Sequence, residues 1–239
     1  MIFSLASLSA HSLEQSVNSE DRSPDNVARD IYRHPYETLS FFGIKPDMTV
    51  VELNPGGGWY TEILANYIHY PGTLITAQGS YYFEGFEKKM NSNPMYGRVE
   101  IVNLNSNLAE PNSVDAVITF RNLHNWLGAD MDSIFRSSFK ALKPGGSFGV
   151  VEHRAKPGTD FETMKTSGYV TEDHAIEVAL KHGFELVEKS EINANPKDTK
   201  DHAKGVWTLP PTYRLKDKDK EKYSAIGESD RMTLLFKKP

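Results

Sequence analysis

Three consecutive glycines, Gly56-Gly57-Gly58, follow the run Val50-Val51-Glu52-Leu53-Asn54-Pro55 and precede a helical pattern that begins near Trp59. Glycine reaches positive φ without a Cβ penalty and lets a ligand come close to backbone amides. Strand-to-helix turns are also where open α/β sheets bind ligands. Such a turn can hold a carboxylate or phosphate, although a plain tight turn uses glycines too. Two further groups follow strand-like runs: Arg121-Asn122-Leu123-His124-Asn125-Trp126 and Glu152-His153-Arg154. Histidine titrates near neutrality, so His124 is the first candidate general base, with Asn125 and His153 as the other catalytic candidates. Trp126 and Tyr169 are candidate walls of an acceptor pocket. Arg154 is a fork able to clamp an anionic acceptor, or it pairs with Glu152. A structural histidine is the alternative for His124.

Three nucleotide readings of the glycine turn compete. A phosphate-binding P-loop needs Lys followed by Ser or Thr after the glycines, and neither pair is present. A dinucleotide fingerprint needs a glycine where Thr61 stands. S-adenosylmethionine also accounts for Glu52, because an acid at the end of the first strand lies under the turn and can hold an ammonium group.

The string from Val51 to Gly58 resembles motif I of class I methyltransferases, usually E/D-x-G-x-G-x-G, with Asn54 and Pro55 replacing its first part. The longer string Glu52 to Glu62 is similar to one from an uncharacterised bacterial family of predicted class I methyltransferases, which carries P-G-G-G-W-Y-T-E, R-N-x-H-N-W and an acid-His-Arg triplet. The segments 195–201 (NPKDTKD) and 204–211 (KGVWTLPP) fit the same family, so the resemblance spans roughly residues 25–239. It implies a Rossmann-like fold, S-adenosylmethionine as cofactor, and methyl transfer to an unidentified small-molecule acceptor. The cofactor contacts it implies are Glu52, Asn54, Pro55, Gly56, Gly57, Gly58, Tyr60, Gln78, Asn105, Arg121 and Asn122. One departure matters. The second strand ends Ala77-Gln78-Gly79-Ser80, without the acid that holds the ribose hydroxyls in most class I enzymes; the next acid is Glu84. Gln78 is a weaker acceptor for a hydroxyl than a carboxylate, and Asn105 is placed to read the adenine amino group. The departure keeps open a non-catalytic protein that binds S-adenosylmethionine or another metabolite. A nucleotide-sugar or NAD enzyme on a related fold is disfavoured by the glycine spacing. No H-x-x-x-H or acidic cluster marks a metal site, and no metal is expected.

These groups need elements to hold them. Apolar runs predict strands at 49–53, 73–77, 99–102, 114–120, 147–152, 184–192 and 231–237. Helical spacing predicts helices at 59–68, 83–90, 131–142 and 171–182. Strands alternating with helices imply an α/β fold: a seven-stranded, mainly parallel sheet with helices on both faces and an antiparallel last strand. Residues 25–239 read as one domain. Within it, 25–46 form a helical lid carrying Arg29, Asp30 and Arg33. Residues 1–24 read as a mobile tail or signal remnant, and 216–222 (KDKDKEK) as a solvated loop.

The chain has 239 residues, a net charge of -5 and no cysteine. Disulfides and thiolate chemistry are excluded. The acidic balance disfavours nucleic acid as a partner. No run reaches the roughly 20 apolar residues of a membrane span. The start (MIFSLASLSA) ends like a signal-peptidase site but lacks a basic n-region. The cytoplasm is therefore the expected compartment, with export as the alternative.

Overall fold

A computed structural model describes residues 11–239; the signal-like start lies outside the described residues. Eight strands form: β1 (Thr49–Leu53), β2 (Thr73–Gln78), β3 (Val99–Asn103), β4 (Val114–Phe120), β5 (Leu142–His153), β6 (Glu185–Ser190), β7 (Ala203–Val206) and β8 (Arg231–Lys237). All but β7 join one seven-stranded sheet, in the order β3-β2-β1-β4-β5-β8-β6. The β1–β2, β1–β4, β2–β3 and β4–β5 pairs are parallel. β8 runs antiparallel to both β5 and β6, so the expected antiparallel last strand sits one place in from the edge.

Side chains alternate across each strand, and this splits the core into two layers. On one face, Val50, Leu74, Ala116 and Ile118 pack with Val17 of α1 (Leu13–Val17), Leu39 of α4 (Pro35–Phe41), and Ile63 and Leu64 of α5 (Thr61–Tyr67). The short helices α2 (Pro24–Val27) and α3 (Asp30–Arg33) lead into α4, and α6 (Phe83–Met90) packs through Phe86 and Met90 beside Ala65 and Val99. On the other face, Val51, Leu53, Val117 and Val150 pack with α7 (Leu123–Trp126), α8 (Ala129–Ala141), α9 (Phe161–Ser167) and α10 (Glu172–Lys181). The last helix, α11 (Lys220–Ile226), precedes β8. Among the described residues, no helix is long and apolar enough to cross a membrane.

β4, β8 and α6 match the expected bounds, and Thr171 caps α10 by accepting from the His174 amide. Two expectations fail. The described part of the 1–24 tail is built into the domain: α1 buries Ser16 and Val17. Arg22 also donates to the Val17 carbonyl at 2.5 Å and to Asp30 at 2.7 and 2.8 Å. One valine anchor in a polar segment leaves little compositional trace. The charged stretch 216–222 is not wholly a loop, because α11 starts at Lys220 and buries Tyr223.

The N-terminal helices are clamped to the sheet where Gly149 in β5 meets Phe42. A Cβ at Gly149 would lie 2.6 Å from the Phe42 ring. Gly149→Ala is therefore expected to lower stability by about 1–3 kcal/mol, as overpacking does. Urea unfolding checks it; an unchanged midpoint contradicts the clamp.

Candidate active site

The chain turns after β1 at the carboxyl edge of the sheet, and side-chain amides hold this turn. Asn54 (φ +46°) donates through Nδ2 to Asn122 Oδ1 at 2.9 Å and accepts the Gly79 amide at 3.2 Å. Asn122 donates in turn to the Leu53 and Asn54 carbonyls, both at 3.2 Å, and to Thr119 Oγ1 at 3.1 Å. Gln78, fully buried, accepts the Gly56 amide at 3.4 Å and donates to the Gly56 carbonyl at 3.0 Å. The loops after β1, β2 and β4 are thus tied together. Gly56 sits at φ +59°, and a Cβ added at Gly56 or Gly57 would meet nothing within 4 Å. The turn faces open space: a cavity of about 440 Å³ that Asn54, Pro55, Gly56 and Gly57 help to line. That is within the roughly 300–1,000 Å³ of small-molecule sites. The glycines and the space above them suit an extended ligand bearing an amino-acid end.

His124 lines the same cavity. Its Nδ1 lies 3.0 Å from Glu152 Oε1. The fully buried Glu152 carboxylate also accepts the backbone amides of Leu123 (2.5 Å), His124 (3.4 Å) and His153 (2.7 Å). A carboxylate so occupied can only accept, so Nδ1 carries the hydrogen and Nε2 is the basic nitrogen. The His153 ring, 5.2 Å from that of His124, bonds Ser229 Oγ through Nδ1. Burial, with His124 and Arg231 beside it, holds the His153 pKa well below the usual histidine value, so its ring is neutral. Among the described residues, the ligand atoms of His124, Glu152 and His153 lie within 4.8 Å of one another. Glu152 is already spent on four N–H donors, so this trio fits an oriented base better than a cation's ligand set.

The same cavity is strongly basic. Arg29, Arg33, Arg121 and Arg231 line it, and among the described residues no carboxylate does. Behind them, Glu228 accepts from Arg29 at 2.6 Å, from Arg33 at 3.2 Å and from Arg231. Burial opposes its ionisation, but Arg231, Arg33 and Arg121 hold the Glu228 pKa far below the ordinary carboxylate range. Burial, with Arg231 adding to it, lowers the Arg121 pKa to about 10, so it is still charged at neutral pH.

Of the residues singled out from the sequence, Asn54, Pro55, Gly56, Gly57, Arg121, Asn122, His124, Asn125 and His153 line the cavity. The others do not. Gly58 faces Phe86 and Lys89. Glu52 accepts the Thr61 hydroxyl at 2.6 Å beneath the turn. Tyr60 stacks on Phe120 and donates to the Arg33 carbonyl at 3.2 Å. Five further expectations need correction. Gln78 is fully buried and bonds Gly56 through both ends of its amide, so it braces the turn. Arg154 cannot clamp an acceptor, because all five of its N–H donors go to Asp230, Glu191 and Glu172. Tyr169 is buried, with its hydroxyl on Asp198 at 3.0 Å, and Trp126 is a core residue. Asn105 is exposed and lies outside the cavity. Motif reading missed Arg231, Ser229 and Tyr82, which also line the cavity. It had marked Trp207 and Pro210–Pro211 only as family features, and they form part of its wall. Arg29 and Arg33, from the N-terminal helical segment, also line it.

Residues 51–150 match the family model described as a methyltransferase domain. No curated protein sequence matches the chain. Among solved structures, a SAM-dependent methyltransferase from Aquifex aeolicus superposes with a TM-score of 0.63 at 14% identity, over 96% of this chain and 100% of that one. Geranyl diphosphate C-methyltransferase from Streptomyces coelicolor A3(2), solved with Mg2+, a thiolodiphosphate and S-adenosyl-L-homocysteine, gives 0.64 at 12% identity, over 94% and 84%. The [4+2]-cyclase SpnF gives 0.61 at 15%, over 95% and 92%. The chain has the Rossmann-like fold of class I methyltransferases.

Glu52 gives this site a pH signature. Burial raises its pKa to about 7 despite the Thr61 hydrogen bond. The folded state then keeps a proton that the unfolded chain releases, so stability falls as pH rises from about 4.5 to 7. The full effect is on the order of 3 kcal/mol. Glu52→Gln is expected to remove that slope, measured by urea unfolding at pH 5 and 8; an unaltered slope refutes it.

Proposed function

We propose that this protein binds S-adenosylmethionine over the Gly56–Gly57 turn and transfers its methyl group to a small-molecule acceptor, with His124 as general base. The observation that carries this reading is the Glu152–His124 pair opening into the same cavity as the glycine turn. The methyltransferase-domain match across 51–150 and the ligands named for the geranyl diphosphate enzyme support the cofactor. When bound, that cofactor supplies an electrophilic methyl on a sulfonium. The turn's open face would hold the amino-acid end, and Tyr82, just after β2 on the same cavity, would lie toward the nucleoside end. Glu152 fixes the imidazole so that Nε2 takes the acceptor's proton as the methyl is transferred. Neutral His153, held by Ser229, keeps a second cation away from that nitrogen. The net charge of -5 supports a small molecule over nucleic acid.

A second reading is a cofactor-binding protein without methyl transfer. It is favoured by β2 ending in a buried amide bonded to Gly56, where most class I enzymes carry a carboxylate for the ribose. SpnF, named as a cyclase, shares the fold. Titration calorimetry with S-adenosylmethionine and S-adenosylhomocysteine tests the shared premise, and binding of neither removes both readings. Methyl release against a metabolite panel separates them. Relative to wild type, His124→Ala is expected to lower kcat by about 10²–10⁴ while S-adenosylhomocysteine binding changes less than twofold. Undiminished turnover in that variant would discard the base.

A further inference from the structure

We propose that the arginine wall is the recognition site of a multiply charged oxyanion on the acceptor. This deepens the methyl-transfer reading and rests on it for the word acceptor. Four arginines line the cavity and only Glu228 answers them, leaving an excess of three positive charges. Arg33 is 2% exposed, yet neither its Nη1 nor its Nη2 has a hydrogen-bond partner among the described residues. Arg29 Nη2 and Arg231 Nε are likewise without one. Buried donors left unpaired cost stability, and burial, with Arg121 adding to it, drags the Arg33 pKa well below the usual arginine value. An anion in the cavity relieves both penalties.

Arg121, which the family resemblance put among the cofactor contacts, belongs instead with this anion site. It sits in the left-handed region at φ +60°, and its side chain makes no hydrogen bond or ion pair among the described residues. Strained backbone holding an unused guanidinium is a functional marker. Arg33, Arg121 and Arg231 also border a second small cavity of about 10 Å³. The cofactor cannot balance this charge. Its one carboxylate is outweighed by its own ammonium and sulfonium, so binding it adds positive charge. The balancing charge belongs to the second ligand, and guanidinium forks match phosphate and carboxylate oxygens in pairs. The acceptor class is therefore a phosphorylated or polycarboxylate small molecule.

Calorimetry on the full chain tests this with sodium pyrophosphate, citrate and acetate, beside S-adenosylhomocysteine. Wild type is expected to bind pyrophosphate or citrate at least tenfold more tightly than acetate. Arg121→Gln is expected to weaken that binding at least tenfold and to leave S-adenosylhomocysteine within twofold. Arg121→Lys, which keeps the charge but loses the fork, should fall between and covers any failure of the glutamine variant to fold. No preference for the multivalent anions overturns the proposal. So does a loss that falls on S-adenosylhomocysteine, which would assign Arg121 to the cofactor carboxylate. Anion binding without S-adenosylhomocysteine binding sinks the methyl-transfer reading instead and keeps the oxyanion site.

Discussion

The amide web around Asn54 is what the site depends on. A glycine turn is soft, and three glycines in a row would sample many conformations if nothing held them. Asn54, Asn122 and Gln78 remove that freedom by bonding the loops after β1, β2 and β4 to one another. Each amide is buried or partly buried and bonded in both directions, so changing one leaves a partner unsatisfied. The web explains why the turn's outer face stays open.

Two charge arrangements border the space this web keeps open. In the first, Glu152 collects four N–H donors and so fixes a single tautomer of His124. In the second, arginines from α3, the loop after β4 and the start of β8 gather near Glu228. The first arrangement is saturated and directional, which suits proton transfer. The second is left short of negative charge, which suits an anionic guest. Glu228 lowers the cost of gathering the arginines without cancelling them. Arg154 stands in contrast: close by in sequence to His153, it is fully neutralised by carboxylates and serves the fold.

Much of the frame was legible in the residues. β4 and β8 were bounded correctly because their apolar runs are flanked by polar residues. His124 lines the cavity because it follows a strand at the carboxyl edge of the sheet. The arginine wall was only half visible. Arg33 and Arg231 stand near opposite ends of the chain, and only the insertion of β8 beside β5 brings them together. Trp126, Tyr169 and Arg154 were misassigned because adjacency in sequence does not reveal which way a side chain faces. Trp126 turns into the core below α7, and Tyr169 finds Asp198 in the polar segment after β6. α11 was missed because alternating charges mask a helix whose one buried anchor is Tyr223.

The most direct test is a crystal structure of the chain grown with S-adenosylhomocysteine. The account predicts the amino-acid end of that ligand against Gly56 and Gly57, the Asn54–Asn122–Gln78 bonds intact, and the sulfur inside the cavity that His124 lines. A turn filled by the protein's own side chains, or the ligand bound away from this edge of the sheet, would contradict it.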